Sequence, residues 1–436
     1  MPSFRPRPQS GSFTAAFTAP RRPRQSLATQ ARPEGGAWST KLGCMATAVL
    51  LTACASAPQP AAHHAPRPAE PNAHVAPAAN VASAPPPAQE TESLGTSAVA
   101  SPIAMPSPEA ARPRPIESEG YGDRADAMQL ADELARRHDL PVQWVRDAIA
   151  KARYREVVGR LIMPAANPGA KNWAAYRSRF IEPQRLRAGQ RFWQAHAADL
   201  QRAEERYGVP AHIIAGVIGV ETLYGRDTGK FRVLDALSTL SLDFPKGRSD
   251  RSAFFRQELG EFLMLCHEQG LQPSQVMGSF AGAIGWPQFM PSSIRRHGVD
   301  FDGDGHIDLI NSPSDAIGSV ASFLAAHGWQ AQWPTHFAVQ PPAAGPQLDT
   351  LLAPDIKPTF TASQMQELGA QLPPAALNHP GPLAMVLLHN AGKPPTLVAG
   401  TRNFYAITRY NQSSYYALAV IELGQAISRS VAKGNQ

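Results

Sequence analysis

Three groups of residues in this chain have the types and spacing to do chemistry. The first is a single carboxylate, Glu221, in Gly219-Val220-Glu221-Thr222-Leu223-Tyr224-Gly225. The segment Pro210–Glu221 reads as a helix, with Gly208 stopping the helix before it and Pro210 in its first turn. Ile213, Val217 and Val220 recur at helical spacing, and so do Ile214, Ile218 and Glu221. The carboxylate therefore continues an apolar stripe instead of facing water. Burial raises the pKa of a carboxylic acid and keeps it protonated near neutral pH, ready to give a proton to a leaving oxygen. The same pattern also fits a buried structural acid tied to an Arg or to backbone donors.

The second group is Asp300-Phe301-Asp302-Gly303-Asp304-Gly305-His306. It matches the front half of an EF-hand loop, with oxygen ligands in alternation, a glycine at the sharp turn, and His306 offering its carbonyl and not its ring. The usual closing Glu is replaced by Asn311, and Asp315 is the candidate closing ligand. Ser312-Pro313-Ser314-Asp315 also reads as a capping box, so Asp315 has a second role open to it. No second such loop accompanies it, which points to a structural calcium clip and not a sensor. The third group is the glycine-rich stretch Gly278–Ser293. Its glycines permit close backbone approach to a ligand. Trp286 or Phe289 could face a sugar ring, and Ser279 and Gln288 could bond its hydroxyls or amide. The alternative is a tight turn with buried aromatics. No Lys-Ser/Thr pair follows, so it is not a phosphate loop.

The elements that must position these groups are mostly helical. Asp126–Arg137, Gln143–Lys151, Arg187–Tyr207, Phe254–Glu268, Ala316–His327 and Tyr415–Ile427 read as helices from their apolar spacing. Leu383–Leu388 and Phe404–Tyr410 read as strands, and His336–Val339 is a short apolar piece in a Pro-rich stretch. The expectation is an α+β domain, mainly α, over residues 119–436, with its small β portion within about 330–412.

Ahead of it, Arg5, Arg7, Arg21, Arg22, Arg24, Arg32 and Lys41 precede the short apolar run Leu42–Ala53. That arrangement reads as an export signal over residues 1–54. The run ends Leu51-Thr52-Ala53-Cys54, which resembles a bacterial lipobox with Cys54 as the lipidated residue. Ala53-Cys54-Ala55 also fits plain cleavage. Ala55 in place of Asp resembles the outer-membrane sorting pattern, so the protein is expected in the periplasm, held at the outer membrane. Residues 55–118 hold no Phe, Trp or Tyr and are rich in Ala and Pro, a disordered, extended spacer. The formal net charge of +6 is partly that N-terminal arginine cluster, so it does not argue for a nucleic-acid partner. Cys44, Cys54 and Cys266 make no disulfide framework.

Taken together these residues resemble the lytic murein transglycosylase B family. The segments that carry the resemblance are Gly219–Gly225, Leu234–Leu240, Gly278–Ser293, Asp300–Asp308, Asp315–Val320 and Asn403–Asn411. The resemblance implies a lysozyme-like fold and cleavage of the MurNAc–GlcNAc β-1,4 bond of peptidoglycan, with the MurNAc 6-hydroxyl attacking to leave a 1,6-anhydro end. It implies that Glu221 is the single catalytic acid/base. Ser279 and Gln288 match substrate-contacting positions, Tyr410 and Asn411 a Tyr-Asn pair beside the cleaved sugar, Tyr416 an active-site tyrosine, and Tyr176 an aromatic near the cleft. Asp300, Asp302, Asp304 and Asp315 fall on calcium ligands, with His306 through its carbonyl, and no organic cofactor is implied. The chain departs from other members at Trp286-Pro287, where Tyr-Gly also occurs, and has one extra residue before Asp315. Asp227, Asp235 and Asp243, the carboxylates nearest Glu221 in sequence, each have an easy structural role. The alternatives are a muramidase that leaves reducing ends, a non-catalytic peptidoglycan-binding lipoprotein, and a calcium-dependent adaptor. A monomer is expected.

Overall fold

The computed structural model describes residues 120–163, 171–247 and 249–434, so the signal, Cys54 and linker readings lie outside the described residues. Four short helices lead in: α1 (Ala125–His138), α2 (Val142–Ala150), α3 (Glu156–Leu161) and α4 (Trp173–Ser178). There follow α5 (Pro183–Ala195), α6 (Ala197–Tyr207), α7 (Ala211–Thr222), α8 (Val233–Leu242) and α9 (Ser252–Glu268), with β1 (Phe231–Arg232) pairing antiparallel to β2 (Met277–Gly278). Then come α10 (Pro291–His297), α11 (Pro313–Ala326), β3 (His336–Ala338), α12 (Pro346–Leu352), α13 (Ala362–Glu367), α14 (Pro374–Leu377), β4 (Ala384–Asn390), β5 (Lys393–Gly400), α15 (Arg402–Asn411) and α16 (Ser414–Gly434). The chain is thus mostly helical with two small antiparallel sheets, the larger ordered β3-β5-β4.

The helix that carries Glu221 is the centre of the main core. Every residue of α7 from Ile213 to Val220 is buried, as a helix surrounded on all sides by others must be. Its tightest neighbour is α16. A methyl group on Gly216 would sit 2.3 Å from the Val420 carbonyl oxygen, and one on Gly424 would sit 1.9 Å from that of His212. The two backbones therefore touch, and only glycine fits at those two positions. A smaller core of Leu351, Met365, Leu383 and Met385 lies under the three-stranded sheet.

Two elements differ from the sequence expectation. Arg187–Tyr207 is not one helix: it starts at Pro183, capped by the Glu182 carboxylate, and breaks at His196, whose φ of -122° and ψ of 27° are not helical. Phe404–Tyr410 is not a strand but part of α15. Thr401 caps that helix by accepting from the Asn403 amide, and the buried Phe404, Ile407, Thr408 and Asn411 repeat at three and four residues. Asn403 also bonds the backbone of Gln330 and Trp333, which ties the helix start to the preceding segment. The strand partner of β4 is instead β5, which begins Lys393-Pro394-Pro395. Its prolines precede the stretch that pairs with β3, so they remove no bond on that side.

Candidate active site

Several contacts fix the end of α7. The last carbonyls of a helix have no partner within it. Here the buried Arg185 guanidinium donates to the Gly219 carbonyl at 2.7 Å and also reaches that of Val220. Leu223, Tyr224 and Gly225 then follow with φ of 51°, 59° and 77°. Left-handed backbone at two non-glycine residues in a row is strained and persists only where the surroundings enforce it. Thr222 supplies part of that enforcement: its hydroxyl donates to the Trp286 carbonyl at 2.9 Å and accepts from the Gly225 amide at 3.0 Å. The Tyr224 side chain folds back against the helix, where a methyl on Gly219 would lie 2.3 Å from its hydroxyl.

Glu221 is half-buried and opens into a cavity of about 210 Å³. Its Oε1 accepts a 2.5 Å hydrogen bond from the buried Tyr416 hydroxyl. Neither an Arg nor a backbone amide binds it among the described residues, which removes the structural-acid reading in its expected form. Burial pushes the Glu221 pKa up to about 7, against the opposing pull of the Tyr416 hydrogen bond. The Tyr416 ring stacks on that of Tyr410, 6.1 Å between centroids at 22°. Tyr410 in turn packs on Phe323 and Phe289.

The cavity brings together Glu221, Ser279, Gln288, Tyr410 and Asn411. The Tyr410 hydroxyl and Asn411 Oδ1 are buried with no hydrogen-bond partner among the described residues, so both are available to a ligand. The Ser279 hydroxyl accepts from the Ala283 and Ala281 amides, which shapes the glycine loop and leaves its proton to donate. Gln288 is left-handed, and its Nε2 donates to the Gly285 and Thr228 carbonyls; its amide oxygen remains for a ligand. Tyr176 does not line the cavity. It belongs to an aromatic group with Trp173, Phe180 and Tyr415. Of the two aromatics read as sugar platforms, Phe289 lines the cavity but is 2% exposed, and Trp286 does not line it.

Sequence reasoning missed Glu258. It lies on one buried face of α9 with Phe255, Leu259 and Phe262, the same signal that exposed Glu221, and it lines the same cavity. Both its oxygens are taken by Ser292, through the amide at 2.9 Å and the hydroxyl at 2.6 Å. The three aspartates have the structural roles expected of them or lie in loops. Asp243 accepts from Tyr121 and Arg124, Asp235 from the Arg153 amide, and Asp227 follows the end of α7.

In the acidic loop, one carboxylate oxygen each from Asp300, Asp302 and Asp315 lies within 4.8 Å of the others. A cluster of hard oxygen donors around a turn with Gly303 and Gly305 at positive φ fits a calcium ion. Asp304 lies outside that group, exposed, with its carboxylate on the His306 amide. Ser312 caps α11 by accepting from the Asp315 amide. The reciprocal half of a capping box is not made, because the Asp315 carboxylate accepts instead from the Phe301 and Asp308 amides. Past the acidic residues, the Leu309 and Ile310 carbonyls accept from the amide and indole N–H of Trp286. Trp286 thus binds the glycine loop to the acidic loop, and this explains why its ring is not at the cavity.

The transglycosylase SLT domain family matches residues 122–425. The chain belongs to this family. Its similarity to membrane-bound lytic murein transglycosylase B of Escherichia coli (strain K12) is 38% identity over 317 residues, 71% of this chain and 84% of the relative. Among solved members, soluble lytic transglycosylase SltB1 from Pseudomonas aeruginosa in its catenated form is 39% identical with a TM-score of 0.66, covering 71% of this chain and 99% of that one. Escherichia coli Slt35 in complex with calcium is 37% identical with a TM-score of 0.64, covering 72% and 97%. The mostly helical fold with small sheets is therefore the family's fold.

Proposed function

We propose that Glu221 is the single acid/base of this lytic transglycosylase, and that it cleaves the MurNAc–GlcNAc β-1,4 bond of peptidoglycan with the MurNAc 6-hydroxyl as nucleophile. The observation that carries this is a carboxylic acid with a pKa of about 7, open to a cavity and bonded to a tyrosine hydroxyl. A group half-protonated near neutrality can both give and take a proton. Glu221 donates its proton to the GlcNAc oxygen as the C1–O bond breaks. The MurNAc 2-acetamido group supports the developing cation at C1. Glu221, now a carboxylate held by Tyr416, accepts the proton of the 6-hydroxyl as that oxygen bonds to C1. No water enters, and the product ends in a 1,6-anhydro ring. Ordinary glycosidases need a second carboxylate, and the other one in this cavity, Glu258, has both oxygens engaged by Ser292.

Ser279, Gln288, Tyr410 and Asn411 bind the sugars on either side of the broken bond. Tyr416 holds the Glu221 carboxylate, and Tyr176 contributes farther along the strand. Asp300, Asp302 and Asp315, with Asp304 and the His306 carbonyl, hold a structural calcium ion whose positive charge offsets their mutual repulsion. A lipid on Cys54 tethers the enzyme to the outer membrane from the periplasmic side, and loss of detergent-phase partitioning in Cys54→Ala tests this.

The function is tested by digesting purified murein sacculi and reading the products by mass spectrometry, with Glu221→Gln alongside. Muropeptides one water lighter than hydrolysis products, absent with the variant, are expected. Reducing-end products would mean that water attacks, and release by the variant would remove Glu221 from the role.

A further inference from the structure

The cavity that holds Glu221 carries more positive charge than the proposed chemistry uses. Arg251 at the start of α9, Arg296 and Arg409 supply it, and two imidazoles lie among them. Arg296 and His297 come from α10, His327 from the cap of α11, and Arg409 from α15, and all four line the cavity. The two imidazoles are 5.1 Å apart, and both rings contact Phe323. Burial depresses the pKa of both, and neighbouring cations add to it, Arg296 acting on both and Arg409 on His327. Both imidazoles are therefore held in the neutral form near neutrality, so the charge of this wall is that of its guanidinium groups, and the histidines add neutral polar ring nitrogens to it.

That wall has little internal compensation. The Arg296 Nε donates to the Ser292 carbonyl, a neutral partner. Arg409 lies over the Tyr405 ring at 4.2 Å, and its Nε is buried with no hydrogen-bond partner among the described residues. The cavity's own acids answer it only in part: Glu221 is half-protonated near neutrality, Glu258, bound by the neutral donors of Ser292, acts on Arg296, and no acid pairs with Arg409 among the described residues. A half-buried guanidinium without a counter-charge, as at Arg409, marks the place of an anion, and the exposed Arg296 lines the same cavity. Planar donors in a fork suit a carboxylate. The sugar backbone of peptidoglycan is uncharged. Its anions are carboxylates, carried by the peptide stem or, where no peptide is attached, by the lactyl group of MurNAc.

We propose that Arg296, His297, His327 and Arg409 form a carboxylate-binding wall that seats a free carboxylate of the substrate in the cavity of Glu221. The inference rests on the reading of this cavity as the glycan cleft, and it adds which chemical group the cleft selects.

The experiment compares kcat/KM of the purified protein on two pairs of substrates. One pair is peptide-bearing glycan with its stem carboxylates free or amidated with methylamine. The other is peptide-free glycan with its lactyl carboxylates free or amidated. Charge-assisted hydrogen bonds of this kind are worth roughly tenfold or more. A drop of that size on amidating the peptide-bearing pair alone assigns the stem carboxylate, and a drop on the peptide-free pair alone assigns the lactyl group. A double variant, Arg296→Gln with Arg409→Gln, is expected to lose the discrimination while still releasing anhydro products. Equal rates of anhydro release from free and amidated substrates by the unmodified protein would overturn the wall and leave the cleavage reading intact, whatever the variant does. No anhydro product from any of the four would overturn the cleft reading and the wall with it.

Discussion

Removing one oxygen atom, in Tyr416→Phe, should move the pH dependence of cleavage in a direction fixed by the structure. The Tyr416 hydroxyl donates to Glu221 at 2.5 Å and so stabilises the carboxylate over the acid. Burial has already raised the Glu221 pKa to about 7 in spite of that bond. A hydrogen bond to a charged group is worth about 1.5–3 kcal/mol, and one pKa unit is about 1.4 kcal/mol. Loss of the hydroxyl should therefore raise the Glu221 pKa by about 1–2 units. Cleavage needs the protonated acid, so kcat/KM falls as pH rises through this pKa. In Tyr416→Phe that alkaline limb should move up, from about pH 7 to about pH 8–9. The assay is kcat/KM against pH for anhydro-product release from a soluble glycan, with both proteins in the same buffers. A limb that stays in place, or moves down, would refute the assignment of Glu221 as the acid whose proton is set by burial and Tyr416.

Three further outcomes are expected. Glu221→Gln should abolish cleavage and yet stabilise the fold above neutrality. A carboxyl whose folded pKa is raised gives stability that is full below its unfolded pKa and lost as pH rises through the folded one, here between about 4.5 and 7. The gain at pH 8 should be roughly 1–3 kcal/mol, the low end reflecting the part of the group open to the cavity, and it should vanish near pH 4 in thermal melts. Gly424→Ala should destabilise by about 1–3 kcal/mol in urea titration, because its methyl would meet the His212 carbonyl, whereas Gly159→Ala in α3, with nothing within 4 Å, should be neutral or mildly stabilising. Calcium should raise Tm with the logarithm of its excess over Kd, adding about 2.7 kcal/mol of stability at a hundredfold excess. Asp300→Asn should weaken that response, and identical melts in calcium and in chelator would remove the ion from the acidic loop.

The helices and the acid were legible in the sequence for a common reason. Apolar residues at three- and four-residue spacing reveal which side of a helix is buried, and a carboxylate on that side stands out, as Glu221 does in α7. The same logic applied to α9 finds Glu258, whose spacing with Phe255, Leu259 and Phe262 carries the same signal. The segment Phe404–Tyr410 misled because Phe, Tyr, Ile and Thr favour strands in isolation. What decides it is a set of tertiary bonds from Asn403 to Gln330 and Trp333, which sequence proximity does not show. The break at His196 has no Gly or Pro to announce it. The fate of Trp286 was likewise invisible, since its indole is claimed by a carbonyl 24 residues away in the acidic loop. Resemblance to a family located Tyr410, Asn411 and Tyr416, whose meeting with Glu221 depends on how α7, α15 and α16 pack.

The backbone contact between α7 and α16 also bears on how this protein can vary. Glu221 and Tyr416 sit on two rods whose closest approach, at Gly216 and Gly424, is to main-chain carbonyls. Main chain has no rotamers through which a neighbouring substitution could be absorbed or transmitted. Exchanges elsewhere in the core, Ile for Val or Leu for Met, leave the spacing of acid and tyrosine where it is. Descendants of this sequence are therefore free to redesign the small sheet while inheriting the spacing of acid and tyrosine unaltered. A lineage that needed a different acid strength would have to change Tyr416 or the cleft walls that bury Glu221, and not the seam between the two helices.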